Sequence, residues 1–218
     1  MRCRHYQIQL NPHKCVFYVE SGRLLGFFVS KSGIRVNPSK VEAIINLPPP
    51  STLRQLQSLQ GKVNFLRRFI PNYVELMKSF TRLLKHNIPF FWDEIANRSF
   101  DALKHALTHA QLLHPLNYNQ DYFLYLAASN SMIGMVLAQE DEFYNDHVIY
   151  YLSRNLHLTE IKYSHVEKFA LVAVKVVQIF HHYILLRKTT MISDCNPMMY
   201  ILKKQLLGGK SSKWIVIL

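Results

Sequence analysis

The sequence predicts a mixed α/β (α+β) chain in two lobes, and three observations carry that prediction. Tyr122–Gln139 (YFLYLAASNSMIGMVLAQ) holds two apolar runs, rich in aromatic and branched residues, broken by Ser129-Asn130-Ser131. Such a pattern reads as a hairpin in a buried sheet. Leu56, Leu59, Val63, Leu66 and Ile70 recur at helical spacing and share one face. Between strand-like and helical territory lies Pro48-Pro49-Pro50, a boundary because proline supplies no backbone N–H.

The elements follow in order. Residues 14–36 read as short strands turning at Ser21-Gly22 and Ser32-Gly33, with Leu24–Val29 between. Asn37-Pro38-Ser39 starts a helix over Lys40–Leu47, which the triple proline ends. Thr52 and Gln55 fit a capping box for the next helix. Opposite its apolar face stand Gln57, Gly61, Phe65 and Arg68: an amide, a gap, a ring and a cation. Pro71 closes it. A helix over about Glu75–Lys85 turns Leu76, Phe80 and Leu83 inward and leaves Lys78, Arg82 and Lys85 solvated. Phe90-Phe91-Trp92 is an apolar anchor, after which Asp93 caps a helix running through Leu113, with Phe100, Leu103 and Leu107 inward and Pro115 at its end. Past the hairpin, the acidic loop Glu140–Asp146 leads to a strand at Val148–Leu152. A long helix starts at Thr159 or Ser164 and reaches Leu186, with Val166, Phe169, Ala170, Ala173, Val177 and Phe180 inward. Thr189–Ser193 is a strand ending at Asp194, and Pro197–Gln205 a last helix.

Charge and cysteine usage narrow the function classes. Of 218 residues, 26 are Lys or Arg against 14 acids, a net charge of +12 that favours a polyanionic partner, nucleic acid before a membrane surface. Cys3, Cys15 and Cys195 are odd in number and far apart, which argues against a disulfide framework or zinc site and for a reducing interior. The N-terminus has no apolar core of a signal peptide, and the apolar window Phe169–Leu186 is interrupted by Lys175, Gln178, His181 and His182. The expectation is therefore an intracellular chain, cytoplasmic or nuclear, with no membrane partner.

Several stretches then resemble a known family. LNPHKC (Leu10–Cys15), LLGFFVSKSGIRVNPSKVEAI (Leu24–Ile44), LQGKVNFLRRFIP (Leu59–Pro71) and FFWDE…SFDALKHAL (Phe90–Leu107) are similar to the polymerase of gypsy-class LTR retrotransposons. So are the hairpin, VIYYLSRNL (Val148–Leu156), KYSHVEKFAL (Lys162–Leu171) and SKWIVIL (Ser212–Leu218), with wording closest to a degenerate subgroup common in plant elements. The resemblance implies the end of a reverse-transcriptase palm at 1–47, thumb helices at 48–91 and an RNase H-like domain, incomplete at its C-terminus, at 92–218. It makes Leu24, Leu25 and Gly26 part of a primer-gripping turn. Gln57, Gly61 and Phe65 become the face that tracks a duplex minor groove, and Arg67 and Arg68 phosphate contacts. Glycine permits close backbone approach, and an amide or ring can touch sugars without reading sequence. On the residues alone, Gly61 for helix packing and Phe65 as core remain the alternative.

The same resemblance exposes losses. No Asp-Asp pair occurs in the chain, so the polymerase site is absent. RNase H cleavage needs carboxylates converging on two divalent ions, and Mg²⁺ takes hard oxygen ligands. The family's Asp-Ala-Ser is Ala127-Ala128-Ser129 here, and its Glu-Lys-Glu is Glu167-Lys168-Phe169. Glu167 sits about 200° around the helix from the lost position, so it is no replacement. Asp194 alone matches an acid. No metal site and no cofactor are expected, with Mg²⁺ entering only if RNase H activity persists. His105 and His109, four apart on a helix, lack a third ligand; His181 and His182 face a helix end, and Glu140-Asp141-Glu142 is a solvated loop. The resulting expectation is a catalytically silent fragment that binds nucleic-acid duplex regardless of sequence. Two alternatives stay open: weak Mg²⁺-dependent RNase H activity through Asp194, and a relic or interaction module that pairs with an intact polymerase.

Overall fold

The structure, a computed structural model, describes residues 6–7, 9, 11, 15–85, 89–185 and 187–203. Cys3, most of Leu10–Cys15, the end of the predicted Pro197–Gln205 helix and Ser212–Leu218 lie outside the described residues.

Strands β1 (Ser21–Leu24), β2 (Phe27–Ser30) and β3 (Gly33–Val36) form an antiparallel sheet in that order. Helix α1 (Pro38–Ile45) begins two residues earlier than expected. Proline suits the first helical position, and the Asn37 side chain accepts from the Ser39 N–H at 3.2 Å. In α2 (Leu53–Leu66) the Thr52 hydroxyl accepts from the Gln55 N–H at 3.2 Å. The Gln55 side chain, however, accepts from the Ser51 N–H at 2.7 Å, so the return half of the predicted capping box reaches one residue further back. Leu56, Leu59, Val63, Leu66 and Ile70 are all buried, as their spacing requires.

A 3₁₀ turn at Arg67–Phe69 leads to α3 (Tyr73–Leu83), which buries Phe80 and Leu83 and half-buries Leu76. Helix α4 (Glu94–Thr108) is capped by Asp93, whose carboxylate accepts from the Ala96 N–H at 2.9 Å and pairs with Arg82. Arg82 is exposed, as the sequence suggested, while making this pair. The helix also stops short of Leu113. That residue exchanges backbone hydrogen bonds of 2.8 and 3.0 Å with Ile34, drawing the chain against β3 before Pro115 is reached.

The second sheet contains β4 (Tyr122–Ala128), β5 (Met132–Glu140), β6 (Asp146–Asn155) and β7 (Thr189–Ile192), in the order β6-β5-β4-β7. The predicted hairpin is β4–β5, turning at Ser129-Asn130-Ser131. Strand β6 outruns Val148–Leu152 at both ends because it pairs along all of β5, from Met132↔Asn155 to Glu140↔Asp146. The predicted long helix is two: α5 (Leu158–Ile161), then α6 (His165–Ile184), entered through a capping box in which Ser164 and Glu167 serve each other's N–H. Helix α7 spans Pro197–Lys203. Tyr122, Leu124 and Leu126 of β4 and Ile133, Met135 and Leu137 of β5 pack with Phe169, Ala170, Ala173 and Phe180 of α6 in one core. A second core joins α1 to α4 under the first sheet. The two meet where the Val74 N–H donates to the Ser153 hydroxyl at 3.2 Å and Arg68 lies 4.9 Å from the Tyr150 ring centre. Among the described residues no helix is long and apolar enough to cross a membrane.

Candidate nucleic-acid interface and carboxylate site

Between β1 and β2 the chain reverses over two residues, Leu25 (φ 48°) and Gly26 (φ 83°). Both are left-handed, the requirement of the tight turn whose twist matches its strands. Leu24 and Leu25 project from it, 60% and 84% exposed. The turn is docked on α2: Phe27 stacks on Phe65 with centroids 4.6 Å apart and planes within 4°, and the Lys40 ammonium lies 3.8 Å from the Phe65 centroid. A Cβ on Gly26 would stand 2.3 Å from Lys40 Nζ and 3.1 Å from Phe65, so the glycine is what lets hairpin and helix approach.

Gln57 and Gly61 line a groove of about 550 Å³ between α2 and α3, with Gln60, Asn64 and Thr81. Phe65 instead borders a smaller recess of about 220 Å³ with Lys40 and Lys62. Phe65 keeps 39% of its surface exposed under this stacking, and Gln57, Gly61 and Phe65 are all exposed at four-residue steps along α2. Gly61 behaves differently from the alternative reading as well. No atom lies within 4 Å of where its Cβ would stand, leaving aside the helix's own backbone, so no close packing inside the chain demands a glycine there. Arg54, Gln57, Gly61 and Asn64 recur on that exposed side at three- and four-residue steps. Arg67 is exposed, and Arg68 is half-buried, 4.9 Å from the Tyr150 ring centre, with its Nε enclosed.

The carboxylate positions are set by the second sheet. Strand β7 runs parallel to β4 with Tyr122↔Thr189 through Tyr125↔Ile192 in register. Ala127 and Asp194 each lie two residues past the last paired residues, Tyr125 and Ile192, at the same end of the sheet. Ala127 and Asp194 are exposed, whereas Phe169 is wholly buried with His165 edge-on at 4.9 Å. Glu167 faces its own helix cap and accepts a 2.8 Å hydrogen bond from the Tyr200 hydroxyl. Lys168 is buried and donates to the Asn130 carbonyl at 3.4 Å. One carboxylate, one methyl and one phenyl do not fit a pair of Mg²⁺ ions, which require several oxygen ligands.

Among the described residues no cluster of three or more His, Cys, Asp or Glu side chains is placed to hold a metal ion. His105 and His109 stack with centroids 4.1 Å apart, and His109 Nδ1 is 2.9 Å from the His105 carbonyl. Asp141, expected to be merely solvated, is instead built in: its carboxylate accepts from the Phe143 and Asn145 N–H groups at 2.8 Å each and lies 3.1 Å from His147 Nε2. Hydrogen bonds from the Asn145 backbone and side chain hold its pKa down at about 2. His147 Nδ1 is in turn 3.1 Å from His114 Nε2, and burial followed by the neighbouring imidazole lowers the His114 pKa. Sequence reasoning missed this cluster, since residues 33 apart carry no spacing signal until β6 is placed.

Residues 92–191 match the model of the RNase H-like domain found in reverse transcriptase. Over 210 residues the chain is 31% identical to the retrovirus-related Pol polyprotein from transposon 297 of Drosophila melanogaster, covering 96% of this chain and 19% of that protein. The corresponding protein from transposon opus of the same species is 30% identical, with 95% and 22% covered. The chain thus spans about a fifth of the length of these curated relatives. Among solved structures, the foamy viral protease-reverse transcriptase in complex with RNA/DNA hybrid superimposes with a TM-score of 0.75 at 25% identity, covering 91% of this chain and 27% of that one. A second foamy viral protease-reverse transcriptase structure, in complex with double-stranded DNA, gives 0.74 at 25% identity, covering 90% and 35%.

Proposed function

We propose that the chain is a fragment of an LTR-retrotransposon Pol polyprotein, on the match of residues 92–191 to the RNase H-like domain found in reverse transcriptase and the similarity to transposon Pol polyproteins, and that it binds nucleic-acid duplex without cleaving it. The observation that carries the binding half is Gly61. A glycine inside an exposed helix costs about 1 kcal/mol relative to alanine, and nothing among the described residues uses the space it leaves. Flanked by Arg54, Gln57 and Asn64, that space suits a sugar-phosphate backbone, which amides and cations contact without reading bases. The solved relatives bound to double-stranded DNA and to RNA/DNA hybrid support the same partner class. In this reading the chain divides at residues 48 and 92, and the Leu24-Leu25-Gly26 turn, held on α2 by Phe65, meets the end of a strand.

The silent half follows from donor chemistry. Ala127 and Phe169 offer no oxygen, and Asp194 alone supplies too little negative charge to hold two divalent ions. As a non-cleaving subunit the chain would pair with an intact polymerase, which co-purification tests.

The binding test is fluorescence anisotropy of a labelled RNA–DNA hybrid. If Arg54, Lys62, Arg67 and Lys78 each neutralise one phosphate, affinity falls roughly a hundredfold between 50 and 200 mM salt, as counterion release requires. Arg67→Glu should weaken binding and flatten that dependence, and no effect of either variable refutes the interface. Incubating the hybrid with Mg²⁺ tests cleavage. Uncut substrate is expected, and cleavage abolished by Asp194→Asn would overturn the inactive reading.

A further inference from the structure

We propose that His114 and His147 form a binding site for a single imidazole-seeking divalent cation, with Zn²⁺ as the probe, at the open end of the second sheet. The two rings converge from different parts of the chain. His114 lies on the segment after α4, where its N–H donates to the Val148 carbonyl at 2.9 Å, and His147 lies on β6. Their facing nitrogens, His114 Nε2 and His147 Nδ1, are 3.1 Å apart. Two nitrogens bound tetrahedrally to Zn²⁺ at its usual bond length lie about 3.3 Å apart, close to the observed spacing, and the rings, now with centroids 4.0 Å apart and planes 39° from parallel, swing outward for both lone pairs to point at one ion. The outer nitrogen of His147 is held by Asp141, the carboxylate–histidine–metal arrangement that fixes a ligand's tautomer and raises its basicity. Asp141 is itself fixed by backbone N–H groups from its own loop. With His147 donating from Nε2 to Asp141, its Nδ1 keeps a lone pair for the metal. The hydrogen now shared between the rings leaves Nε2 of His114, which binds as its Nδ1–H tautomer.

The rings open onto a cavity of about 360 Å³, also lined by Glu140, Glu142 and Gln120, where water or a carboxylate can complete the coordination. With only two imidazoles supplied directly, the site is an exchangeable one. Soft thiolate is absent from the lining, which favours Zn²⁺, Ni²⁺ or Cu²⁺ over Cu⁺. The stacked His105–His109 pair, four residues apart on the exposed side of α4, is the competing imidazole pair, and substitution separates the two sites.

Isothermal titration of the full chain with Zn²⁺ at pH 7.5 should show one saturable site, lost at pH 5.5 because metal binding needs neutral imidazoles. His147→Gln or His114→Gln should weaken it at least tenfold, and Asp141→Asn by about 10- to 100-fold. The double variant His105→Gln/His109→Gln should leave it unchanged. In that background Cu²⁺ bound to otherwise unaltered protein should show two nitrogen ligands by electron paramagnetic resonance, a readout that needs no change at the site. Equal Zn²⁺ affinity in the unaltered protein and His147→Gln, or fewer than two nitrogens on Cu²⁺, overturns the proposal.

Discussion

Replacing Gly61 by alanine and by leucine separates the needs of the helix from the needs of a bound duplex. Position 61 lies inside α2, and a Cβ there has no neighbour within 4 Å outside the helix's own backbone. Alanine therefore adds no clash and removes the entropy penalty of glycine, a gain of about 0.8–1.0 kcal/mol. For a chain of this size that raises the midpoint of thermal unfolding by about 2–4 °C. Leucine is nearly as good a helix former, so Gly61→Leu should also be no less stable than the unaltered protein. Its four side-chain carbons, however, enter the groove shared with Gln57 and Asn64. If a sugar-phosphate backbone lies there, Gly61→Leu weakens hybrid binding by at least tenfold, about 1.4 kcal/mol. Calorimetry and anisotropy on the same samples read both quantities. A fall in unfolding temperature for Gly61→Ala would show that the position is not open, and unchanged hybrid affinity in Gly61→Leu would remove the duplex from this face.

Ala127 and Phe169 should differ in how easily they accept a carboxylate. Ala127→Asp is exposed and should change stability by less than about 0.5 kcal/mol without recovering cleavage, whereas Phe169→Glu empties a fully buried ring site and adds a carboxylate. Its cost should exceed the 3–5 kcal/mol of a buried Phe→Ala change, measured by urea denaturation; a stable Phe169→Glu protein would contradict the packing described. Tyr125 offers a titration test: its hydroxyl donates to Asp146, which with burial pushes its pKa up to about 12. Ultraviolet titration should find it ionising nearer 10 in Asp146→Asn. Because the folded-state pKa is raised, this contact's stabilisation is intact below about pH 10 and lost as pH climbs through 12. An unshifted Tyr125 in the unaltered protein would refute the contact.

Local chemistry in the sequence determined the elements and their inner faces. The five apolar residues of α2 are buried because 3.6-residue periodicity needs only a partner of any shape. The β4–β5 hairpin turns at its serine–asparagine–serine triplet because alternation and turn chemistry are encoded within a few residues. What tertiary structure decided is how distant residues share space. The end of α4 depends on Leu113 pairing with Ile34, nearly 80 residues earlier, and no local signal announces that competition. Phe65 and Arg68 look available on a helix diagram, yet Phe27 stacks on one and Tyr150 lies against the other. Gln139, polar and 4% exposed, is buried because its amide joins the Asn117 and Gln120 backbone across the sheet edge. The placement of Ala127 and Asp194 at one end of the sheet and the meeting of His114, His147 and Asp141 arise from strand order and register, long-range properties. Pairing energies accumulate along whole strands, so register is fixed by the fold and not by any one of the residues it brings together.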